Sequence, residues 1–271
     1  MNRFLVFVVG LVLCCGTSQP AKVSRKGVVS LVPSVTEIVY ALGAEDQLVG
    51  NTTYCDYPDA AKHGYKVGDF QNPDLERIIS LRPRLVFLCL PAHLIIADKL
   101  KELGIAYYVS RPGTIEGVFS EIDSIGKLLG VQKRAEILVH RLRGRLDSLP
   151  VYPDTPRVYL EISDVPLMTV GGGSFINGII RKAGGYNIFG KAASEYPIVD
   201  PEFVVRADPE VILILHPGLS AGQVGNRLGW SQISAVRNMR VFDDLDMDLL
   251  FRPGPRVVEG IIELSRRLHP E

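Results

Sequence analysis

Four aromatic side chains, Tyr54, Phe70, Tyr196 and Phe251, stand in segments punctuated by Pro or Gly, where no helix or strand core calls for them. Taken singly, each reads as a plug at the edge of a core. Gathered at one end of a fold, they make a surface for a large, flat, partly apolar ligand. Asp246, Asp248 and Arg252 share the last of these segments, either as polar anchors for that ligand or as a solvated turn.

Patterns for covalent or metal chemistry are missing. The sequence has no GxSxG, HExxH or Walker loop, and after Gly171 and Gly173 the third glycine position of a dinucleotide fingerprint is Ile176. Gly171-Gly172-Gly173 reads as a tight turn, with an anion held by its backbone N–H groups as the alternative. The five histidines, at 63, 93, 140, 216 and 269, show no ligand spacing. His93 and His216 follow corresponding strands and so are expected near the same end of the fold. There they are hydrogen-bonded or surface residues, or else axial ligands to cobalt or iron. Cys55 and Cys89 form neither a disulfide framework nor a CxxC motif and read as two unpaired thiols, with one bridge between them as the alternative.

Alternating elements must position these residues. Val28 to Val32 reads as a strand, and Ser34-Val35-Thr36-Glu37 as a capping box opening a helix that stops at Gly43. Strands follow at Leu48 to Thr53, Leu85 to Leu90 and Ile105 to Val109. Helices fall between Asn72-Pro73 and Leu81, and between Leu94 and Leu103. From Thr114 to Leu149 apolar residues recur at helical spacing, interrupted once at Gly130. Alternation then resumes with a strand at Arg157 to Ile162 and a helix from Ser174. The chain also repeats: residues 74–86 lie on residues 200–212 at a constant offset of 126, with Asp, Glu and Pro coinciding. The fold expected is α/β, with two similar lobes of largely parallel sheet joined by a helical segment and a cleft between them.

Composition agrees with a globular protein of this kind. The chain has 271 residues, 46% hydrophobic, and 30 basic residues balance 30 acidic ones. Without net charge there is no general field to draw in nucleic acid or an anionic membrane. The N-terminus differs. Phe4 to Leu13 is an apolar run after Arg3, too short to span a bilayer, which takes roughly 20 residues, but suited to a secretory leader. Cys14 and Cys15 end it. Cys15 is the better candidate for lipidation as the first residue of a mature lipoprotein, with ordinary cleavage near Gly16 to Ala21 as the alternative. Residues 1–27 are thus expected to be signal peptide and tether, 28–131 one lobe, 132–150 the linking helix and 151–271 the other lobe.

Several blocks resemble a known family. Val32-Pro33-Ser34-Val35-Thr36-Glu37, Tyr54-Cys55-Asp56-Tyr57-Pro58, Leu75-Glu76-Arg77-Ile78 and Pro253-Gly254-Pro255-Arg256 are similar to the cobalamin-binding proteins of bacterial ABC importers. More widely they are similar to the binding proteins for cobalamin, haem and iron siderophores. The resemblance implies a stiff hinge helix within Gln132 to Leu149. It implies a corrinoid held by Tyr54, Phe70, Tyr196, Asp248 and Arg252, and docking of Glu76 and Glu202, one per lobe, on the arginines of a permease dimer with its ATPase subunits. It implies a monomer in the periplasm or on the outer face of the cytoplasmic membrane, with no cofactor, no bound metal and no catalysis. Phe70 and Tyr196 stand where the family has tryptophans, and Cys89 at a third aromatic position, so the cleft is expected to be less aromatic. Haem or a ferric siderophore is the alternative cargo, with Tyr54 as an iron ligand. An exported α/β enzyme using Asp248 and a cleft histidine is the alternative from another class.

Overall fold

The computed structural model describes residues 27–270. The leader, with Cys14 and Cys15, lies outside the described residues. Strands β1 (Val28–Ser30), β2 (Leu48–Asn51), β3 (Leu85–Leu88) and β4 (Tyr107–Val109) form a parallel sheet in the order β2-β1-β3-β4. Helices α1 (Pro33–Ala41), α2 (Leu75–Ser80) and α3 (Leu94–Glu102) lie between them in sequence. Helices α4 (Ile115–Leu128) and α5 (Gln132–Asp147) follow, packed on each other across a turn at Gly130, whose φ is 72°.

The second sheet is built from β5 (Arg157–Asp164), β6 (Leu167–Thr169), β7 (Tyr186–Asn187), β8 (Val211–Ile214) and β9 (Val241–Phe242). All its pairings are parallel except β5 with β6. Its helices are α6 (Phe175–Lys182), α7 (Pro201–Ala207), α8 (Ala221–Val224), α9 (Ser234–Arg237), α10 (Met247–Phe251) and α11 (Val257–Leu268).

The repeat read from the sequence is a structural one. Asp74 and Asp200 each cap a short helix, accepting from the N–H of Arg77 and of Glu202 respectively. Arg82 and Asp208, again 126 apart, both take left-handed backbone (φ 48° and 44°) before a proline. The register agrees too, since Leu85 faces Val28 and Val211 faces Val158.

One apolar core runs through both sheets. Val28, Phe87, Ile122, Ile125, Leu138, Leu142, Leu160, Leu213, Ile261 and Leu264 belong to a single buried cluster, which α4, α5 and α11 share with strands of both sheets. The alternate strand positions, Val29 and Val86 in one sheet and Tyr159 and Ile212 in the other, face separate outer clusters. The connection between the sheets therefore runs through two packed helices, of which α5 is the one anticipated at Gln132 to Leu149. Among the described residues no helix is long and apolar enough to cross a membrane.

Some local expectations fail. Ser34 and Glu37 do not form a capping box: Val32 is the N-cap of α1, with no side-chain cap bond, and Pro33 sits at the first turn. Glu37 is drawn instead to two arginines. The second helix starts not at Asn72-Pro73 but after its cap Asp74. The strands at Leu48 and Leu85 end at Asn51 and Leu88, short of Thr53 and Leu90.

Candidate functional site

At the C-terminal ends of the parallel strands lies a cavity of about 660 Å³ walled by both halves of the chain. Tyr54, Phe70, Tyr196, Asp248 and Arg252 all line it, together with Phe251, Cys89 and Arg111. Tyr54, Tyr196 and Phe251 are 54%, 42% and 38% exposed, so they are not plugs of a core. Chains bearing apolar rings into an open cavity leave area to be covered by something else.

Each wall is held from behind. Lys66 ties the Tyr54 loop together, its ammonium donating to Asn51 Oδ1 (2.8 Å), the Ala61 carbonyl (2.9 Å), the Thr52 carbonyl (3.1 Å) and the Cys55 carbonyl (3.3 Å). Cys55 is buried beside Thr36 and Thr52 and is free. The Phe70 ring stands edge-on to Tyr54 (6.4 Å) and to His93 (5.0 Å).

His93 explains why Phe70 stays put. Its Nδ1 accepts from the Cys89 N–H at 3.1 Å, which leaves the proton on Nε2, 2.7 Å from the Phe70 carbonyl. Burial keeps this imidazole's pKa low. His216 is hydrogen-bonded to Glu161 at 3.0 Å. Neither histidine lines the cavity; both are hydrogen-bonded, as in one of the readings from the sequence, and His93 backs the wall with its ring 5.0 Å from that of Phe70. No group of three or more His, Cys, Asp or Glu able to hold a metal occurs among the described residues.

The Tyr196 wall depends on two glycines. The Gly171 N–H donates to the Glu195 carbonyl (2.8 Å) and the Gly172 N–H to the Ala192 carbonyl (3.0 Å). A Cβ on Gly171 would lie 1.9 Å from the Ser194 carbonyl, so only glycine admits the strap at 190–195. With those N–H groups engaged, this loop is the tight turn and not an anion cradle.

The Arg252 wall is an ion cluster. Arg252 meets Asp56 at 2.5 Å, Asp248 at 2.9 Å and Glu37 at 3.6 Å. Glu37 takes a bidentate pair from Arg256, 3.0 Å to Nε and 2.7 Å to Nη2, and the Arg256 guanidinium lies 3.8 Å from the Tyr57 ring centre. This cluster joins α1 to the segment before α11 across 219 residues of sequence. The Arg252 guanidinium holds the Asp56 carboxyl below its ordinary range, whereas burial pushes Asp248 up. Asp246 is not on the wall. It caps α10, accepting from the Asp248 N–H at 2.9 Å.

Two residues behind and on the wall carried no signal in the sequence. Glu121 of α4 is 4% exposed, with a carboxyl that accepts from the Ser110 hydroxyl and the Arg111 N–H. Its Oε2 has no partner, and burial pushes its pKa up to about 7. Arg111 lies in the crossover Ser110-Arg111-Pro112-Gly113 that lines the cavity. Glu76 and Glu202 are exposed in the first turns of α2 and α7, away from the cavity.

A profile described as periplasmic binding protein matches residues 28–246. Among curated relatives, an uncharacterized ABC transporter substrate-binding lipoprotein of Bacillus subtilis is 35% identical, over 92% of this chain and 82% of its own. A vitamin B12-binding protein of Vibrio parahaemolyticus is 32% identical over 88% and 87%. The solved periplasmic vitamin B12-binding protein of Vibrio cholerae superposes with a TM-score of 0.71 at 29% identity, over 90% of this chain and 96% of that one. A periplasmic haem-binding protein from Roseiflexus reaches 0.76 at 25% identity, over 90% and 98%. Two largely parallel sheets facing one cavity and joined through packed helices, with these matches over nearly all of the chain, place it in the periplasmic binding protein family.

Proposed function

We propose that this protein is the extracytoplasmic binding component of an ABC importer, and that it carries a corrinoid of the cobalamin type. The observation that carries this is the single cavity lined by Tyr54, Phe70, Tyr196 and Phe251, aromatic surface from both halves around a polar edge at Asp248 and Arg252. The vitamin B12-binding relatives support the cargo. In this reading the corrinoid is cargo, not cofactor, and the protein binds without doing chemistry. Cys89, a thiol on the cavity wall, has its pKa pushed up to about 11 by burial and by Glu121, the wrong direction for a nucleophile. Glu76 and Glu202 dock a monomer, one carboxylate per lobe, on a permease dimer. The leader brings the chain across the membrane, and lipidation at Cys15 anchors it on the outer face.

Haem or a ferric siderophore is the second reading, favoured by the likeness to a haem-binding protein and by the exposed Tyr54. Titrating the purified protein with cyanocobalamin, cobinamide, haemin and a ferric siderophore separates the two. Tyr54→Ala and Tyr196→Ala should each weaken corrinoid binding by about 1–3 kcal/mol through lost apolar contact, with little change in the melting temperature of the empty protein. Unaltered affinity in both would remove these rings from the site.

A further inference from the structure

The cavity's charged groups are not equally engaged. Arg252 is taken up by Asp56, Asp248 and Glu37. Arg111 and Glu195, by contrast, line the cavity from opposite halves, both exposed, and neither side chain has an ionic or hydrogen-bonded partner among the described residues. The backbone under Arg111 is fixed all the same. The buried carboxyl of Glu121 accepts from the Arg111 N–H and from Ser110, and Pro112 restricts the residue before it to extended backbone. An unpaired guanidinium on a pinned loop, facing into a cavity, is preorganised for an oxyanion.

We propose that Arg111 is the anion anchor of the cargo, and that the cleft selects a cargo with one phosphodiester-like group among neutral amides. Glu195 on the facing wall then receives an amide N–H. This rests on the corrinoid reading above. Cobalamin carries one phosphodiester in its nucleotide loop and amides around its ring, cobinamide lacks that phosphodiester, and haem carries two carboxylates and no amide. A cleft with one free cation and one free anion suits the first of these best. Arg111 also sits in a polar loop of the kind that varies freely in length and composition, so it is a place where relatives with the same fold can differ in cargo.

The test is calorimetric titration of the full protein and its Arg111→Gln variant with cyanocobalamin, cobinamide and haemin. Wild type should prefer cyanocobalamin to cobinamide. Arg111→Gln should weaken cyanocobalamin by about tenfold, the size of one charge-assisted contact, while cobinamide stays within about twofold and the melting temperature is unchanged. Equal losses for both corrinoids, or no loss for either, would overturn the anchor while leaving the corrinoid reading intact. If wild type binds haemin and neither corrinoid, the corrinoid reading fails, and an unchanged haemin affinity in Arg111→Gln overturns the anchor as well. Binding of none of the three probes would overturn both.

Discussion

Replacing Glu121 by Gln should flatten the pH dependence of folding stability. In the folded chain this carboxyl titrates near 7, against 4.5 for an ordinary glutamate, because burial disfavours its charge. The folded state therefore holds the proton more tightly than the unfolded state. That stabilisation is full below about pH 4.5 and is lost as the pH rises through about 7. A displacement of this size corresponds to about 3 kcal/mol in all, of which roughly 2–3 kcal/mol falls between pH 5 and pH 8. Above that range a carboxylate with a partnerless Oε2 stays buried under the crossover loop. Gln keeps the shape and one acceptor for Ser110 or the Arg111 N–H, but it does not titrate. Urea unfolding at pH 5, 6, 7 and 8 would measure the effect. Between pH 5 and pH 8 the wild type should lose about 2–3 kcal/mol more than Glu121→Gln. Parallel profiles for the two proteins would refute the reasoning, since they would mean that Glu121 titrates alike in both states.

Glu37→Ala leaves Arg256 with only the Tyr57 ring and Asp246 at 3.9 Å. It should cost about 2–4 kcal/mol in urea unfolding, because a half-buried cation loses its bidentate partner. A cost below about 1 kcal/mol would mean that the ring suffices. Cargo binding should turn the halves by a few degrees only, since one core runs through both sheets and the bridge is helical. A large fall in radius of gyration by small-angle scattering would contradict that. Glu76→Lys with Glu202→Lys should leave cargo affinity intact and abolish transport in reconstituted vesicles, as like charges would then meet the permease. Wild-type transport would leave these residues only their favourable placement at helix N-termini.

Legibility in the sequence followed the range of the interactions. Asp74, Asp200, Pro83 and Pro209 act within one turn of their own position, so the repeat and its helices could be read directly. Tyr54, Phe70 and Tyr196 were legible as loop residues beyond strand ends, whereas Phe251, read as a loop residue too, is the last residue of α10. Ser34-x-x-Glu37 looked local and was not. The pull of Arg256, from the far end of the chain, outweighs a cap bond. His93 and His216 could be read only as hydrogen-bonded residues or axial ligands, since their partners, a carbonyl at Phe70 and a carboxylate at Glu161, are distant in sequence. Arg111 and Glu121 gave no signal at all: a polar residue before Pro-Gly and an acid in an amphipathic helix are ordinary until the crossover is folded over α4.

The pairing of Glu37 with Arg256 also sets an order of events during synthesis. Its two ends are 219 residues apart. At ribosomal rates of about 5–20 residues per second, roughly 10–45 s pass between their appearances. For all that time α1 carries an acid whose counterions do not yet exist, and the apolar cluster shared by the two sheets lacks α11. A nascent first half can form its strands and short capped helices, but it cannot close. The emerging chain thus keeps an apolar, unfinished surface open to chaperones until α11 has been made.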